Sequence, residues 1–331
     1  MTPTIDVLLG PDDLTAALQA DVRHGLSAPP GRRALPPKWF YDARGSQLFD
    51  DITRLPEYYP TRCERAILEA RAAEIMTGPA PVTTLIELGS GTSDKTRLLL
   101  DAGADGGSLR TFAPFDVSEE TLRAAAAILA HRYQDAGVAV HAIVGDFERH
   151  LGALSAVGPP GGRLVAFLGG TIGNFDPPGR ARFLAALASA LAPGDRLLLG
   201  TDLVKDRGRL ILAYDDPAGV TAEFNRNVLA VINRRLSADF DPEAFRHVAC
   251  WDERQEWIEM RLAASADQTV TISDLAMKVT FAHGEEIRTE ISAKFRRARV
   301  AEELQAAGLA MTHWWTDDNG DFGLSLSRRV A

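Results

Sequence analysis

In Thr84-Leu85-Ile86-Glu87-Leu88-Gly89-Ser90-Gly91-Thr92-Ser93, an apolar strand runs into a glycine turn. A helix is predicted to follow over residues 95–102. This order of strand, glycine turn and helix is typical of doubly wound α/β folds, which bind adenosine-containing cofactors at the turn. Gly89 and Gly91 would let the backbone approach such a ligand. Tight turns that bind no ligand share this short pattern, so other residues must show whether a cofactor binds here.

Further strand patterns along the chain predict a parallel sheet. Predicted helices separate these strands, one over residues 118–133 and another that ends at Pro193-Gly194. This alternation is expected of βαβ units. The sequence therefore predicts an α/β fold with a Rossmann-like parallel sheet. The five predicted strands cover residues 83–88, 111–115, 138–144, 163–168 and 196–200.

Acidic residues end the second and third of these strands. Asp116 could accept hydrogen bonds from both hydroxyls of a ribose. Asp146 could meet the amino group of an adenine, and the ring of Phe147 could stack on the base. Either acid alone is more often a helix cap. Together with the glycine turn, however, they place suitable groups at three successive strand ends, and this favours a cofactor site.

The residue after the glycine turn narrows the choice of cofactor. A dinucleotide-binding turn reads G-x-G-x-x-G, and here Asp94 stands in the place of the third glycine. A carboxylate at that position would repel a pyrophosphate, whereas Glu87 and Asp94 suit a cofactor that carries a positive sulfonium and no phosphate. S-adenosylmethionine is therefore preferred over a nicotinamide dinucleotide.

The composition favours an enzyme that acts on small molecules. The 331 residues are 46% hydrophobic and 24% charged, which is ordinary for a globular protein, and a net charge of -9 works against general nucleic-acid binding. The two cysteines, Cys63 and Cys250, are too few for a disulfide framework, and the seven histidines lack ligand spacing, so no metal is predicted. Without an apolar run long enough for a membrane or a recognisable secretory signal, we expect a cytoplasmic protein.

Beyond Asp202 the pattern changes and predicts a second, α+β module. A helical stretch near Val220 is followed by segments that alternate with period two, among them residues 257–262, which read as a half-buried antiparallel strand. At the end of the chain, residues 311–316 and 322–327 flank the turn Asp318-Asn319-Gly320. We expect this last hairpin to return to the edge of the main sheet.

Six longer motifs carry a resemblance that covers nearly the whole chain from Asp21 onward. They are Pro37-Lys38-Trp39-Phe40-Tyr41-Asp42, Thr53-Arg54-Leu55-Pro56-Glu57-Tyr58-Tyr59-Pro60-Thr61-Arg62, Glu87-Leu88-Gly89-Ser90-Gly91-Thr92-Ser93, Thr171-Ile172-Gly173-Asn174, Thr201-Asp202-Leu203-Val204-Lys205-Asp206 and His313-Trp314-Trp315-Thr316-Asp317. With these motifs the sequence closely resembles the histidine-specific S-adenosylmethionine-dependent methyltransferases of ergothioneine biosynthesis. Members of that family trimethylate the α-amino group of L-histidine.

The resemblance implies a class I methyltransferase fold in two parts. The domain that binds S-adenosylmethionine would take residues 62–204 and 296–331, and the substrate-binding domain would take residues 1–61 and 205–295. Lys95 would pair with the carboxylate of the cofactor. The full set of predicted cofactor-binding residues is Gly89, Gly91, Lys95, Asp116, Asp146 and Phe147.

The resemblance also implies how L-histidine is bound. Asn174 and Tyr214 would hold its α-carboxylate, and Gly169 would lie against its amino group. The imidazole ring would be held by Tyr58, Glu290 and Ser292. We expect Met260, Thr221 and Phe49 to shape the pocket.

The residues themselves support part of this assignment. Glu290 and Ser292 are two apart on a predicted strand and therefore share a face, where they could bind an imidazole nitrogen together. A solvated strand face is the commoner meaning of such a pair. Asn174 could bind a substrate or cap the next helix, and the sequence leaves both roles open.

Methyl transfer from a sulfonium requires an unprotonated amine in line with the methyl group, and positioning should supply most of the acceleration. Tyr41 is the candidate polar neighbour of the amine, beside Asn174 and Gly169, although a packed, hydrogen-bonded tyrosine is the commoner role for such a residue. Trp314 and Trp315 suggest a cation cage, but we expect a core pair on an edge strand. One departure from the family is Gly170, where a serine is expected.

Three alternatives stay open at this point: a methyltransferase for another amine, a nicotinamide-dependent reductase, and a cofactor sensor without turnover. A methyltransferase for another amine would have other residues in place of Tyr58, Glu290 and Ser292. All three are present here, which argues against that alternative. We expect a monomer whose partner is the small-molecule substrate L-histidine, with no nucleic acid or membrane involved.

Overall fold

The computed structural model describes residues 2–77 and 81–330. Met1, residues 78–80 and Ala331, which the predicted domain ranges include, lie outside the described residues. The strands of the described part are, in chain order, β1 (Thr4–Val7), β2 (Thr84–Leu88), β3 (Thr111–Asp116), β4 (Ala139–Val144), β5 (Arg163–Phe167), β6 (Arg196–Asp202), β7 (Phe245–Asp252), β8 (Trp257–Ala264), β9 (Gln268–Ile272), β10 (Met277–Phe281), β11 (Glu286–Ala293), β12 (Leu309–Thr316) and β13 (Phe322–Arg329). The α-helices are α1 (Pro11–Leu26), α2 (Ala43–Arg54), α3 (Pro60–Thr77), α4 (Arg97–Asp105), α5 (Glu119–Arg132), α6 (Phe147–His150), α7 (Pro177–Ala190), α8 (Arg207–Leu212), α9 (Val220–Leu236) and α10 (Arg297–Ala306).

The chain divides into two compact units. The first unit comprises Met1–Leu9, Pro60–Val204 and Phe295–Ala331, and the second comprises Gly10–Tyr59 and Lys205–Lys294. No helix within residues 2–77 and 81–330 is both long and apolar enough to cross a membrane.

The first unit is built on an eight-stranded sheet with the order β1-β4-β3-β2-β5-β6-β13-β12. Strands β1 to β6 pair in parallel, and β13 runs antiparallel to both β6 and β12. The predicted α/β sheet with five parallel strands is confirmed, and so is the return of the last hairpin to the sheet edge. Apolar residues on α3, α4 and α5 pack on the central strands, whose side chains are buried on both faces.

Two local predictions for this unit are wrong. The helix after the glycine turn begins at Arg97 and not at Lys95, because Ser93 adopts a left-handed φ of 56° and the chain continues in turns before α4. Strand β1 pairs with β4 and belongs to this sheet, although residues 1–61 were assigned to the substrate-binding domain. Its four residues, Thr4–Val7, contain no apolar run that marks a buried strand.

The second unit contains a three-stranded antiparallel sheet with the order β11-β8-β7 and a separate hairpin of β9 and β10. Helix α9 packs against β7 and β8. The prediction that β8 is half-buried is wrong, because Glu259 on its polar face is only 5% exposed. Burial is possible there since Glu259 accepts hydrogen bonds from Trp257 Nε1 and from the guanidinium of Arg261.

Candidate active site

The glycine turn of the first unit leaves open space beside the backbone. Gly89 and Gly91 adopt left-handed φ values of 66° and 49°, which disfavour other residues. A Cβ added at Gly91 would meet no heavy atom within 4 Å, and one at Gly89 would lie 3.6 Å from the ring of Phe147. The turn can therefore receive a ligand, and Phe147 lies close to it.

Asp116 joins the end of β3 to this turn. Its Oδ2 accepts a hydrogen bond from Gly91 N at 2.9 Å, and its Oδ1 accepts one from Ser118 N at 2.9 Å. Burial raises the pKa of the carboxyl, and the backbone N–H groups of Ser118, Gly91 and Val117 oppose that shift. Because a carboxylate offers about four acceptor positions, the group retains capacity for a ligand hydroxyl.

Asp146 and Phe147 stand at the end of β4, as predicted from the sequence. The Asp146 carboxylate caps α6 by accepting a hydrogen bond from Glu148 N at 2.9 Å. The half-buried Phe147 ring packs edge-on against Phe167 and Phe183, with centroids 5.3 and 5.8 Å away. The structure thus brings Gly89, Gly91, Asp116 and Phe147 to one edge of the sheet, and Asp146 is a helix cap there as well.

Glu87 is a buried acid within the same motif. Thr96 Oγ1 donates a hydrogen bond to its Oε1, and the side chain is 5% exposed. Burial raises the pKa of Glu87 to about 7, although the hydrogen bond from Thr96, the nearby Ser93 hydroxyl and the charge of Lys95 lower it. A cation bound nearby would favour the ionised form of this acid.

Lys95 is held by a residue that the sequence analysis missed. Its ammonium pairs with Glu64, which is fully buried in α3. Both carboxylate oxygens of Glu64 also accept from Gly169 N, each at 2.9 Å. Glu64 therefore fixes the predicted cofactor residue Lys95 and the predicted substrate residue Gly169 together. No local sequence signal reveals it, because its partners lie 31 and 105 residues away.

The loop after β5 presents the side chain of Asn174 without a structural role. The amide makes no hydrogen bond to any residue within 2–77 and 81–330, and α7 is capped by Asp176, which accepts from Gly179 N at 2.7 Å. The capping role considered for Asn174 is therefore wrong. Gly170, where the sequence resemblance predicts a serine, adopts a φ of 71°, so glycine suits this backbone better than serine does.

In the second unit, aromatic side chains surround Tyr41. Its ring packs edge-on against Phe49 and Phe224, with centroids 5.5 and 5.6 Å away. Phe49 also packs edge-on against Tyr58. The predicted pocket residues Tyr41, Phe49 and Tyr58 thus belong to one cluster. The packing explains the burial of Tyr58 and leaves the proposed role of Tyr41 as a polar neighbour untested.

A second cluster, which we call the hydroxyl cluster, consists of Tyr214, Ser292 and Lys294. The hydroxyl oxygens of Tyr214 and Ser292 lie 2.7 Å apart, and Lys294 Nζ donates to each of them at 2.9 Å. Lys294 has no exposed surface, and its ammonium lies 4.6 Å from the centroid of the Tyr214 ring. The ring of Tyr58 packs edge-on against Tyr214, at 6.3 Å. Three predicted substrate residues are therefore brought together around a lysine.

Glu290 follows a β-bulge in β11, where the register against β8 shifts between Arg288 and Glu290. Its nearest partner across the sheet is Met260, so these two predicted pocket residues are neighbours. The Glu290 carboxylate makes no hydrogen bond to any described residue. Burial raises its pKa to about 7, and the positive charge of Lys294 partly opposes that shift.

A buried polar chain lies behind these residues. His247 Nε2 donates to the carbonyl of Tyr214 at 2.8 Å, and its Nδ1 therefore accepts from Asn225 Nδ2 at 2.8 Å. Thr289, at the bulge, contacts Asn225 Oδ1 at 2.6 Å. Burial lowers the pKa of His247, which keeps the ring neutral in this role. Thr221 lies in the buried first turn of α9, where its N donates to Asp216 at 2.8 Å.

One sequence signal could have found Lys294. Glu290, Ser292 and Lys294 are each two residues apart, so the strand period that pairs the first two also places the third on their face. His247 and Asn225 carry no such signal, because they meet the site only through the pairing of distant strands and α9.

One group of potential metal ligands lies within residues 2–77 and 81–330. Cys63, Asp317 and Asp321 have ligand atoms within 4.8 Å of one another. Asp317, however, accepts hydrogen bonds from the backbone N of Asp321 at 2.8 Å and of Phe322 at 2.7 Å, which is the bonding of an acid that stabilises a turn. That the chain requires no metal stays a prediction.

Comparison with known proteins identifies the family. The sequence profile described as "Histidine-specific methyltransferase, SAM-dependent" matches residues 18–329. Histidine N-alpha-methyltransferase of Mycolicibacterium smegmatis is 58% identical over 99% of this chain and 100% of that protein, and its namesake in Mycobacterium tuberculosis is 57% identical over 97% and 98%. Ergothioneine biosynthesis protein 1 of Schizosaccharomyces pombe is 34% identical over 75% of this chain and 31% of that protein. The chain therefore belongs to the family of histidine-specific, S-adenosylmethionine-dependent methyltransferases.

Proposed function

We propose that this protein transfers three methyl groups from S-adenosylmethionine to the α-amino nitrogen of L-histidine. The products are Nα,Nα,Nα-trimethylhistidine, which is an intermediate of ergothioneine biosynthesis, and three molecules of S-adenosylhomocysteine. The observation that carries the proposal is that a chain of this family has Glu290, Ser292, Tyr214 and Tyr58 gathered in its second unit.

We propose that the first unit binds S-adenosylmethionine. The open glycine turn would take the methionine part, and the free acceptor positions of Asp116 would take the ribose hydroxyls. Phe147 would contact the adenine. Lys95, with its side chain 21% exposed beside Glu64, retains hydrogens for the cofactor carboxylate.

Glu290 suits an imidazole ligand because the pKa of its carboxyl is close to that of the ring. Its pKa of about 7 lies close to the value of about 6.5 for an ordinary imidazole. One proton shared between the two groups gives a hydrogen bond whichever group carries it. An indole or a phenyl ring cannot accept or release that proton in this range. Glu290 would thus distinguish histidine from other aromatic amino acids.

Asn174 and Tyr214 would each contact the histidine α-carboxylate, and Gly169 would contact the α-amino group. The nitrogen lone pair attacks the methyl carbon, and the bonding pair of the carbon–sulfur bond leaves with the sulfur. The methylated ammonium must release a proton before the next transfer, and after the third it has none to release. No covalent enzyme intermediate is needed, so positioning of the two substrates is the main contribution of the protein.

We expect a monomer that needs neither a metal nor a nucleic acid and that acts in the cytoplasm. A size measurement in solution and an assay after treatment with a chelator test the first two expectations.

The proposed function is tested by incubating the purified protein with S-adenosylmethionine and each amino acid separately. Mass spectrometry should show products with one, two and three added methyl groups for histidine alone, and fragmentation should place them on the α-nitrogen. Tryptophan and phenylalanine serve as ring controls without an imidazole. Methylation of another amino acid would overturn the substrate assignment, and cofactor binding without any product would indicate a sensor.

A further inference from the structure

The hydroxyl cluster has too few hydroxyl hydrogens to serve both its internal contact and two groups of a ligand. Tyr214 and Ser292 carry one hydroxyl hydrogen each. Their contact at 2.7 Å uses one of these hydrogens, so only the other hydroxyl can donate outward. While this contact persists, a ligand can therefore accept a hydrogen bond from only one of the two hydroxyls.

Lys294 changes this restriction. An ammonium has three hydrogens and no acceptor, so the oxygens of Tyr214 and Ser292 must both accept from it. If both hydroxyl hydrogens turn outward, the two oxygens face one another across 2.7 Å without a hydrogen between them. That arrangement is repulsive unless a cation lies against both lone pairs, which is where Lys294 Nζ lies.

We propose that Lys294 is a positioning residue that allows Tyr214 and Ser292 to donate both hydroxyl hydrogens to the bound amino acid at the same time. The inference rests on the proposed function, in which Tyr214 contacts the α-carboxylate and Ser292 contacts the imidazole. Without the lysine, the two hydroxyls would keep their mutual hydrogen bond and only one of them would serve the substrate.

A second lysine of the same unit provides a matched control. Lys205 Nζ donates to the hydroxyl of Tyr59 at 2.7 Å and lies 4.1 Å from the centroid of that ring. Lys205→Met therefore removes a lysine–tyrosine contact of the same kind without changing the hydroxyl cluster.

The experiment measures the dissociation constant of histidine by calorimetry with S-adenosylhomocysteine at saturation. Lys294→Met should raise that constant about tenfold, as expected for the loss of one hydrogen bond to a charged group. It should leave the affinity for S-adenosylhomocysteine within about twofold, and Lys205→Met should change neither constant by more than that.

Combination with Ser292→Ala gives the sharper result. With Lys294 present, Ser292→Ala should weaken histidine binding about fivefold. In the Lys294→Met background, the same change should weaken binding no further. The reason is that loss of the serine releases the Tyr214 hydroxyl from their mutual hydrogen bond, so that it can donate to the substrate. Equal effects of Ser292→Ala in both backgrounds, or an unchanged constant in Lys294→Met, would overturn the inference alone. If the unsubstituted protein does not bind histidine, the proposed function and the inference both fail.

If Lys294→Met does not fold, its histidine affinity cannot be measured, so a second measurement uses variants that keep Lys294. Tyr214→Phe and Ser292→Ala, each made singly, should each weaken histidine binding about fivefold, because both hydroxyls donate to the substrate. If either single change leaves the constant within about twofold, the two hydroxyls do not donate together and the inference is wrong.

Discussion

Each unit carries one carboxyl group whose pKa is raised by burial to about 7, the buried Glu87 in the first and the half-buried Glu290 in the second. Apart from the charge of Glu64 on α3, the groups that shift the pKa of Glu87 come from the next nine residues of the chain, through Ser93, Lys95 and Thr96. Glu290 instead lies beside a bulge in the pairing of β11 with β8, and the charge of Lys294 acts on its pKa. Local sequence builds the first environment, whereas tertiary pairing builds the second.

The difference extends to the kind of donor that each region uses. At the end of β3, Asp116 is fixed by backbone N–H groups, which are present whatever the side chains are. In the hydroxyl cluster every donor is a side chain, so a single substitution alters the binding chemistry. This suggests that the first region serves a cofactor shared by many enzymes and the second determines which amine is methylated.

The largest effect should follow from removal of the carboxylate at the end of β3. Asp116→Ala should raise the dissociation constant of S-adenosylmethionine by about 100-fold, because two hydrogen bonds to a charged group are lost. Calorimetry measures this constant. Asp101→Ala, which removes the same charge from a surface pair with Arg132 elsewhere in the unit, is the control and should have little effect. A loss of less than about threefold in Asp116→Ala would show that Asp116 does not hold the ribose.

The next prediction compares the two buried glutamates directly. Their folded pKa of about 7 exceeds the ordinary value of 4.5, so the folded state binds more protons and loses stability as the pH rises from 4.5 through 7. Because glutamine cannot ionise, Glu87→Gln should raise the free energy of unfolding at pH 8 by up to about 3 kcal/mol, and Glu290→Gln by less, since its side chain is more exposed.

Denaturant unfolding at pH 4 and at pH 8 measures this difference. The exposed Glu302, changed to glutamine, is the control and should leave the pH dependence as it is. If both buried variants keep the pH dependence of the unsubstituted protein, burial does not control these two groups.

These two regions also show why prediction from sequence succeeds unevenly. The parallel sheet, the glycine turn, Asp116 and Phe147 could be predicted because each strand end and its turn are contiguous in the chain. Glu64, Lys294 and His247 were missed. Glu64 and His247 act on groups that are distant in sequence, and Lys294 needs the strand period to be followed one step beyond Ser292.

The errors have the same origin. Glu259 was expected on a solvated face, but the arginines that pair with it come partly from the neighbouring strand. Strand β1 has too few residues to show a pattern and is defined by its pairing with β4. Such features depend on contacts that form only in the folded chain, and a single sequence does not reveal them.

A smaller effect is expected at the loop after β5. Asn174→Ala should raise the KM for histidine about tenfold and leave the stability unchanged, because its amide makes no hydrogen bond to the described residues. Asp176→Ala is the matched control two residues away. It removes the cap of α7, so it should lower the free energy of unfolding by about 1 kcal/mol without changing KM. Steady-state kinetics and denaturant unfolding separate the two outcomes, and the reverse result would refute the assignment of Asn174.

The smallest effect concerns the departure from the family pattern at Gly170. Its φ of 71° makes any residue with a Cβ unfavourable, so Gly170→Ser should lower the free energy of unfolding by about 1 kcal/mol. The added Cβ would lie 3.7 Å from Phe322, an ordinary contact, so the KM for histidine should change less than about threefold. A serine that stabilises the protein would show that the loop adopts another conformation.

We propose that the first unit binds the cofactor and that the second unit selects histidine. Calorimetric titration of Asp116→Asn and Glu290→Gln with S-adenosylhomocysteine, and then with histidine at saturating S-adenosylhomocysteine, tests it most directly. We predict a crossed result in which Asp116→Asn weakens only S-adenosylhomocysteine binding and Glu290→Gln weakens only histidine binding, each about tenfold or more. Unchanged histidine binding in Glu290→Gln, or selective loss of histidine binding in Asp116→Asn, would contradict the account.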